Sequence, residues 1–146
     1  MNHGKADING LVMVFNMIRG SLDYFARKYD LSLTEMGMVF DIFSKGALTV
    51  TELSALQGIP KSTVSRLVDD LVKRGILNRE RPEDNRRIVH ITITPDFRAE
   101  MDRLKDDAGF QQVIEQDLPP EKGQLAIGKL RELLDILKDE HKPDES

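Results

Sequence analysis

The hydrophobic positions of the chain follow a helical spacing over most of its length and an alternating spacing over one short stretch. Between residues 7 and 30, apolar side chains recur at steps of three and four, which predicts one long helix. This stripe consists of Ile8, Leu11, Phe15, Ile18, Leu22, Phe25 and Tyr29. Further apolar residues lie beside the stripe, so the helix is expected to pack against more than its own domain.

Two shorter helices follow, and each begins with a capping signal. Ser32 is followed three residues later by Glu35, and Thr49 is followed in the same way by Glu52. In such a capping box each side chain accepts a hydrogen bond from the other residue's backbone N–H. Gly58 is expected to end the second helix, because glycine readily adopts the left-handed conformation found there. The side chains expected to be buried are Met36, Val39, Phe40, Phe43, Leu53 and Leu56.

A fourth helix is predicted within residues 60–75, PKSTVSRLVDDLVKRG, with one aliphatic side and one polar side. At 100° per residue, the aliphatic side holds Val64, Leu67, Val68 and Leu71. The opposite side holds Ser62, Arg66, Asp69 and Lys73, flanked by Thr63 and Ser65. A short helix, a tight turn that contains Gly58 and a second helix form the helix-turn-helix arrangement.

The alternating stretch comes next and predicts a β-hairpin. Its strands are expected at residues 76–81 and 86–94, joined by a turn at residues 82–85. The side chains that alternate toward the core are Val89, Ile91 and Ile93. After the hairpin, Thr94 and Pro95 predict a helix to about residue 116, with Gly109 as a weak point, and a last helix is predicted from about residue 118 to 140.

Composition narrows the class of protein. A chain of 146 residues is long enough for one domain with a hydrophobic core. It contains no cysteine, which excludes disulfides and thiolate metal sites. Its longest strongly apolar stretch is too short for a membrane span, and the N-terminus lacks the order of a signal peptide. These features predict a cytoplasmic protein that does not bind a membrane.

Charge is distributed unevenly along the chain. The net charge is −4, but residues 60–94 carry 8 basic and 5 acidic side chains, while the remaining residues carry 13 basic and 20 acidic ones. A basic middle between acidic ends is typical of a protein in which one surface meets phosphate. The average charge alone would have argued against a nucleic-acid partner.

The polar side of the fourth helix has the residue types that read a DNA major groove. Small hydroxyl side chains allow close approach of the backbone, and an arginine can donate two hydrogen bonds to guanine O6 and N7. The alternative is a merely solvated surface. Three arginines around the hairpin tip favour DNA, since arginine there can enter a minor groove or lie along phosphates. A solvated hairpin whose charges discourage edge pairing is the alternative for this element.

Residues 48–94, LTVTELSALQGIPKSTVSRLVDDLVKRGILNRERPEDNRRIVHITIT, resemble the winged helix-turn-helix of the MarR family of bacterial transcription regulators. The similarity lies in two patterns. The first is STVSRLVD, residues 62–69, followed by Leu71 and Gly75, and the second is Asp84, any residue, Arg86 in the wing. It implies a mainly α fold with a small β-hairpin wing, built as a helical homodimer. The implied segments are a dimerisation helix at residues 1–30, the winged helix-turn-helix at 31–94 and dimerisation helices at 95–146.

The resemblance also implies the roles of individual residues. Ser62, Thr63, Ser65 and Arg66 would face the major groove, and Lys61 and Lys73 would reach phosphates. At the wing, Arg86 would enter the minor groove, braced by Asp84. The further arginines expected at the wing are Arg81 and Arg87. Two departures from the family pattern are Pro60, where a serine cap is common, and Phe97, where a glycine is common.

The resemblance implies that the apolar surface of the terminal helices forms a dimer interface. The residues expected to form the dimer interface are Ile8, Leu11, Phe15, Leu130, Leu133, Leu134 and Leu137. Many relatives are released from DNA by small aromatic or otherwise amphipathic effectors. The residues that would line such a pocket here are Met13, Met17, Met36, Met38, Phe40 and Phe43. The alternative for these side chains is ordinary core packing.

No catalytic or metal-binding pattern is apparent. His3, His90 and His141 are scattered, the hydroxyl residues have no base at motif spacing, and there is no glycine-rich phosphate loop. We therefore expect no cofactor, no metal and no enzyme activity. The sequence predicts a homodimeric, sequence-specific DNA-binding repressor that responds to a ligand. The competing interpretation is a winged-helix scaffold that binds proteins and no DNA.

Overall fold

The chain divides into two compact units. The computed structural model describes residues 8–117, 121–125, 128, 131, 132 and 135. One unit spans Met1–Phe25 with Ala108–Ser146, and the other spans Ala26–Asp107. The sequence predicts a different division, with boundaries after residues 30 and 94 that separate dimerisation segments from the DNA-binding segment. Because that division concerns function, it stays a prediction.

Over the residues that the structure describes, the architecture is mainly helical with one two-stranded antiparallel hairpin, as the sequence predicts. In chain order the elements are α1 Ile8–Tyr29, α2 Leu33–Lys45, α3 Val50–Gln57, α4 Lys61–Lys73, β1 Leu77–Glu80, β2 His90–Ile93, α5 Pro95–Arg103 and α6 Ala108–Asp117. Residues 121–125 are also helical. Most of the last predicted helix lies outside the described residues, including Leu130, Leu133, Leu134 and Leu137.

Both predicted capping boxes are confirmed. The Ser32 hydroxyl accepts from the N–H of Glu35 at 3.1 Å, and the Glu35 carboxylate accepts from the N–H of Ser32 at 3.1 Å. Thr49 and Glu52 form the same two bonds, also at 3.1 Å. Gly58 ends α3 with φ 65°, in the left-handed region as expected. Each helix therefore begins where its hydroxyl residue satisfies a free backbone N–H.

The predicted continuous helix from Pro95 to about residue 116 is wrong. A 3-10 turn at Leu104–Asp106 follows α5, and Asp107 is extended, with φ −78° and ψ 111°. Aspartates near the end of a helix are unfavourable for the helix dipole, and they hydrogen-bond well outside helices. The Asp107 carboxylate pairs with the Lys28 ammonium, at a sequence separation that local spacing cannot reveal.

The core of the unit Ala26–Asp107 encloses one face of α4. The side chains that are almost fully enclosed are Met38, Val39, Ile42, Leu53, Val64, Val68, Leu71, Leu77 and Ile91. They come from α2, α3, α4 and the hairpin, and each contributes about 1.5 to 3 kcal/mol by leaving water. The Leu48 backbone adds to the hairpin, donating to Ile91 at 3.1 Å and accepting from it at 2.7 Å. These contacts hold α4 with its polar face outward.

Two side chains expected to be buried lie at the surface instead. Phe43 is 41% exposed, at the end of α2, and Leu56 on α3 is also exposed. The guanidinium of Arg98, on α5, lies 5.1 Å from the centre of the Phe43 ring. A cation above an aromatic face is a favourable contact that tolerates water.

The hairpin is shorter than predicted and its connection is longer. Leu77 pairs with Ile93, and Glu80 with His90, so the second strand begins at His90. In the connection, the Asn85 N–H donates to Pro82 O at 3.2 Å and the Ile88 N–H donates to Asn85 O at 3.3 Å. Two successive turns thus take the place of the first residues of the predicted second strand. Pro82 in the connection has no N–H to donate, so it cannot extend the pairing of the strands.

Candidate nucleic-acid interface

Helix α4 presents its hydroxyl and basic side chains at the surface. Its aliphatic side chains Val64, Val68 and Leu71 are enclosed. The polar residues predicted to meet DNA are exposed at Lys61, Ser62, Arg66 and Lys73, and partly exposed at Thr63 and Ser65. The structure therefore brings the predicted reading residues together on one accessible helix face.

The N-terminal end of α4 has no side-chain cap. Pro60 is the N-cap residue, with φ −60° and ψ 148°, and its own carbonyl accepts from the Val64 N–H at 3.1 Å. The first N–H groups of the helix consequently receive no acceptor from the cap residue. A phosphate suits such a position, because free N–H groups and the positive end of the helix dipole both favour an anion. Pro60, which departs from the family pattern, is thus compatible with a phosphate contact there.

An ion pair joins α4 to the first strand of the hairpin. The Arg79 guanidinium, on β1, donates to the Asp69 carboxylate on the polar face of α4. Asp69 lies among the side chains predicted to meet DNA, where an unpaired carboxylate would repel phosphate. Sequence reasoning did not assign Arg79 a role. The only signal was its opposite charge, ten residues further along the chain.

The tip of the hairpin is held by its own backbone and by two side chains. The Arg81 guanidinium donates to the carbonyl of Arg86 at 2.8 Å, and the Arg87 N–H donates to Asn85 Oδ1 at 3.3 Å. The side chains of Arg86 and Arg87 are exposed. Among the described residues Asp84 forms no hydrogen bond or ion pair with Arg86, so the bracing implied by the resemblance stays a prediction.

Arg74, at the C-terminal end of α4, links three helices. Its guanidinium donates to the carbonyl of Tyr29, the last residue of α1. It also lies 3.6 Å from Glu35 Oε2, on α2, and 3.7 Å from Asp70 Oδ2, on α4 itself. The capping glutamate of α2 therefore has a second, tertiary partner. The local sequence indicated the capping role of Glu35 but not this pair.

The residues predicted for an effector pocket separate into two groups. Met13 and Met17 line a groove of about 630 Å3 in the unit that contains the first part of α1. The other residues that line this groove are Asn9, Val12, Asn16, Gln116, Lys122 and Leu125. Met36 and Met38 are instead buried in the other unit, where Phe40 is half-buried. The structure thus brings together two of the six predicted pocket residues.

The predicted dimerisation residues on α1 are exposed. Ile8 is 69% exposed, Leu11 53% and Phe15 55%. Large apolar side chains exposed together on one helix are typical of a surface that meets a partner. The described part of the chain also contains no cluster of three side chains able to hold a metal ion, and none of its helices is long and apolar enough to cross a membrane.

Comparison with known proteins relates the chain to one family. The sequence pattern of the MarR family matches residues 31–89, which contain α2, α3, α4, β1 and the hairpin connection. The chain is therefore similar to the MarR family over these residues. Members of the MarR family are transcriptional regulators that bind DNA, and the exposed face of α4 lies within the matched region.

Individual relatives agree with this assignment. The HTH-type transcriptional regulator TcaR from Staphylococcus aureus (strain Newman) is 29% identical over 112 residues, which cover 75% of this chain and 72% of TcaR. A crystal structure of a MarR family transcriptional regulator from Silicibacter pomeroyi DSS is 27% identical, with a TM-score of 0.57, over 81% of this chain and 80% of that one. The fold also matches NadR, crystallised with 4-hydroxyphenylacetate, at a TM-score of 0.67 and 14% identity, over 99% and 97% of the two chains.

Proposed function

We propose that this protein is a homodimeric repressor of the MarR family that binds a pseudo-palindromic operator with half-sites about one helical turn apart. The observation that carries the proposal is the face of α4 opposite its enclosed aliphatic side. There the structure holds an arginine and short hydroxyl side chains outward on a rigid helix. A surface of this composition can approach base edges closely and discriminate between them.

Each exposed group has a role in this proposal. Ser62, Thr63, Ser65 and Arg66 meet base edges in the major groove, whereas Lys61 and Lys73 contact phosphates. The wing arginines Arg81, Arg86 and Arg87 contact phosphates or the adjacent minor groove, with Asp84 orienting Arg86 on DNA. The predicted division of the chain places these residues between two dimerisation segments.

Dimerisation is supported by the exposed apolar side chains of α1. Covering Ile8, Leu11 and Phe15 in a second copy would remove them from water, at about 25 cal/mol for each Å2 of apolar surface. The same contact would place two copies of α4 in symmetry-related positions. A two-fold protein matches a two-fold operator, because the half-site spacing then equals the spacing of the recognition helices.

A small aromatic or amphipathic effector completes the proposal. NadR was crystallised with such a compound, 4-hydroxyphenylacetate. In this chain Met13 and Met17 line an open groove, and methionine adapts well to irregular apolar ligands. A ligand that favours a dimer with a different spacing between its recognition helices would weaken DNA binding by about 1 to 3 kcal/mol. The protein acts in the cytoplasm, by binding rather than catalysis.

The direct test is selection of bound sequences from random DNA duplexes. The expected result is a two-fold symmetric motif whose half-site centres lie about one turn apart. Recovery of no sequence above background would exclude DNA binding and favour the protein-binding scaffold.

The same assay distinguishes residues that recognise bases from residues that contact the DNA backbone. Arg66→Ala is expected to cost about 1 to 3 kcal/mol and to flatten preference at one base position in each half-site, while Lys73→Ala should weaken all sequences nearly alike. Equal losses for both variants on every sequence would remove Arg66 as a reader. Affinity should also fall steeply between about 50 and 200 mM salt, because phosphate contacts release counterions.

A further inference from the structure

We propose that Arg74 is a positioning residue for DNA binding, which holds the C-terminal end of α4 against the ends of α1 and α2. The proposal rests on the DNA-binding function given above. It goes further by assigning a role to a residue whose guanidinium contacts residues of its own unit, Ala26–Asp107. The partners are Tyr29, Glu35 and Asp70, in three helices.

The contact with Glu35 is the costliest of the three to lose. The Glu35 side chain is only 11% exposed, and its other oxygen already accepts from the Ser32 N–H. Without Arg74 a nearly enclosed carboxylate would lose its cation, which is strongly unfavourable in low dielectric. The Tyr29 carbonyl lies at the end of α1, where carbonyls lack helical partners and a positive charge is favourable. The exposed pair with Asp70 adds little.

The position of the contact explains its effect on α4. The buried side chains Val64, Val68 and Leu71 hold the helix by apolar contacts, which permit small rotations about the helix axis and small sliding movements. The hydrogen bond from the guanidinium to the Tyr29 carbonyl is directional, and the ion pair with Glu35 at 3.6 Å adds attraction toward α2, so together they restrain the orientation of the end of α4. Reading of base edges needs side chains placed to within about 0.5 Å, which makes such a restraint functional.

Helix α1 connects this contact to the other unit of the chain. The unit boundary falls after Phe25, so α1 begins in one unit and its last turn belongs to the other. Arg74 bonds the final carbonyl of this helix. A displacement of the last turn of α1 would therefore be passed directly to the end of α4 that carries Arg74.

The test compares Arg74→Met with Lys73→Met, its exposed neighbour, on the selected operator and on random DNA over a series of salt concentrations. Arg74→Met is expected to weaken operator binding about tenfold, equivalent to about 1.4 kcal/mol. The affinity for random DNA and the slope of affinity against salt concentration should stay unchanged. The preference for the operator bases should decline to a similar extent at every position of the half-site. Lys73→Met should instead weaken both DNAs alike and lower the salt slope by about 0.9 per lost phosphate contact.

A milder variant separates positioning from folding. Glu35→Gln can still accept from the Ser32 N–H, since glutamine also completes a capping box, but it loses the charge that meets Arg74. It should show the same even loss of preference, in smaller measure, in a protein whose circular dichroism matches the wild type. If Arg74→Met fails to fold, Arg74→Lys and Glu35→Gln carry the test.

Two results would overturn the proposal. A folded Arg74 variant with the wild-type ratio of operator to random affinity would show that the residue only stabilises the fold. A lowered salt slope with equal loss on both DNAs would make Arg74 a phosphate contact. Failure of the wild-type protein to bind any DNA would be a different result, because it would reject the proposed function itself.

Discussion

Thr94 offers a stability test whose size follows from the two hydrogen bonds of its side chain. Its hydroxyl accepts from the Phe97 N–H at 3.1 Å and donates to the Gly75 carbonyl at 2.7 Å. Residue 94 is 9% exposed. The hydroxyl therefore starts α5 and also anchors it to the corner that follows α4. Thr94→Val preserves the shape of the side chain and removes both bonds.

The expected loss is the sum of two effects. Removing an N-cap hydroxyl costs about 1 kcal/mol, and losing the partly buried hydrogen bond to the Gly75 carbonyl costs about 0.5 to 1.5 kcal/mol. Thr94→Val should therefore lower the free energy of unfolding by about 1.5 to 2.5 kcal/mol. Thr49→Val is the matched control, because Thr49 caps α3 with a bond of the same 3.1 Å length to Glu52 and, among the described residues, forms no second hydroxyl bond. It should cost about 1 kcal/mol.

Urea denaturation followed by far-ultraviolet circular dichroism measures both variants. Protein concentration must be equal throughout, since the stability of a dimer depends on it. The slope of free energy against urea should stay constant, which shows that the unfolded states are comparable. Thr94→Ser should recover most of the loss, because serine can form both bonds. Equal losses for Thr94→Val and Thr49→Val would refute the assignment of stability to the bond with Gly75.

Three further predictions concern packing and charge. Gly37→Ala should leave stability nearly unchanged. The gain in helix propensity of about 1 kcal/mol is offset because the new Cβ would lie 2.9 Å from Gln57 Oε1. In a Gln57→Ala background the gain should appear as a higher urea midpoint. Leu71→Ala should cost about 2 to 5 kcal/mol in the same assay by leaving a core cavity, and a loss below 1 kcal/mol would contradict its enclosure. Asp69→Asn should strengthen binding to random DNA about threefold at low salt, because the substitution removes a negative charge from the DNA-facing surface and frees the Arg79 guanidinium from its ion pair. Unchanged affinity in a DNA titration would show that this face does not meet phosphate.

The features predicted correctly are those that depend on neighbours in sequence. The capping boxes at Ser32 and Thr49 join residues three positions apart, so the residue types alone specify the geometry. The two sides of α4 follow in the same way from 3.6 residues per turn. Because the candidate DNA-reading residues lie on this helix, their grouping and exposure could be predicted before the tertiary contacts were known.

The features missed depend on residues far apart in the chain. The break after α5 occurs at Asp107, whose partner Lys28 is 79 positions away. Arg74 meets Tyr29 across 45 positions. No periodicity relates such residues, so their contacts cannot be obtained from spacing. The exposure of Phe43 was missed for a similar reason, since the cation that covers its ring comes from another helix.

The chain by itself therefore determined which segments become helices, where most of them begin, and which face of α4 carries DNA-reading chemistry. These are local properties, because hydrogen-bond capping and side-chain periodicity act within one or two turns. Tertiary structure decided how α4 is anchored, which charges are paired, and which apolar side chains remain exposed on α1. Those outcomes depend on distances between separate elements, and such distances exist only once the elements have packed.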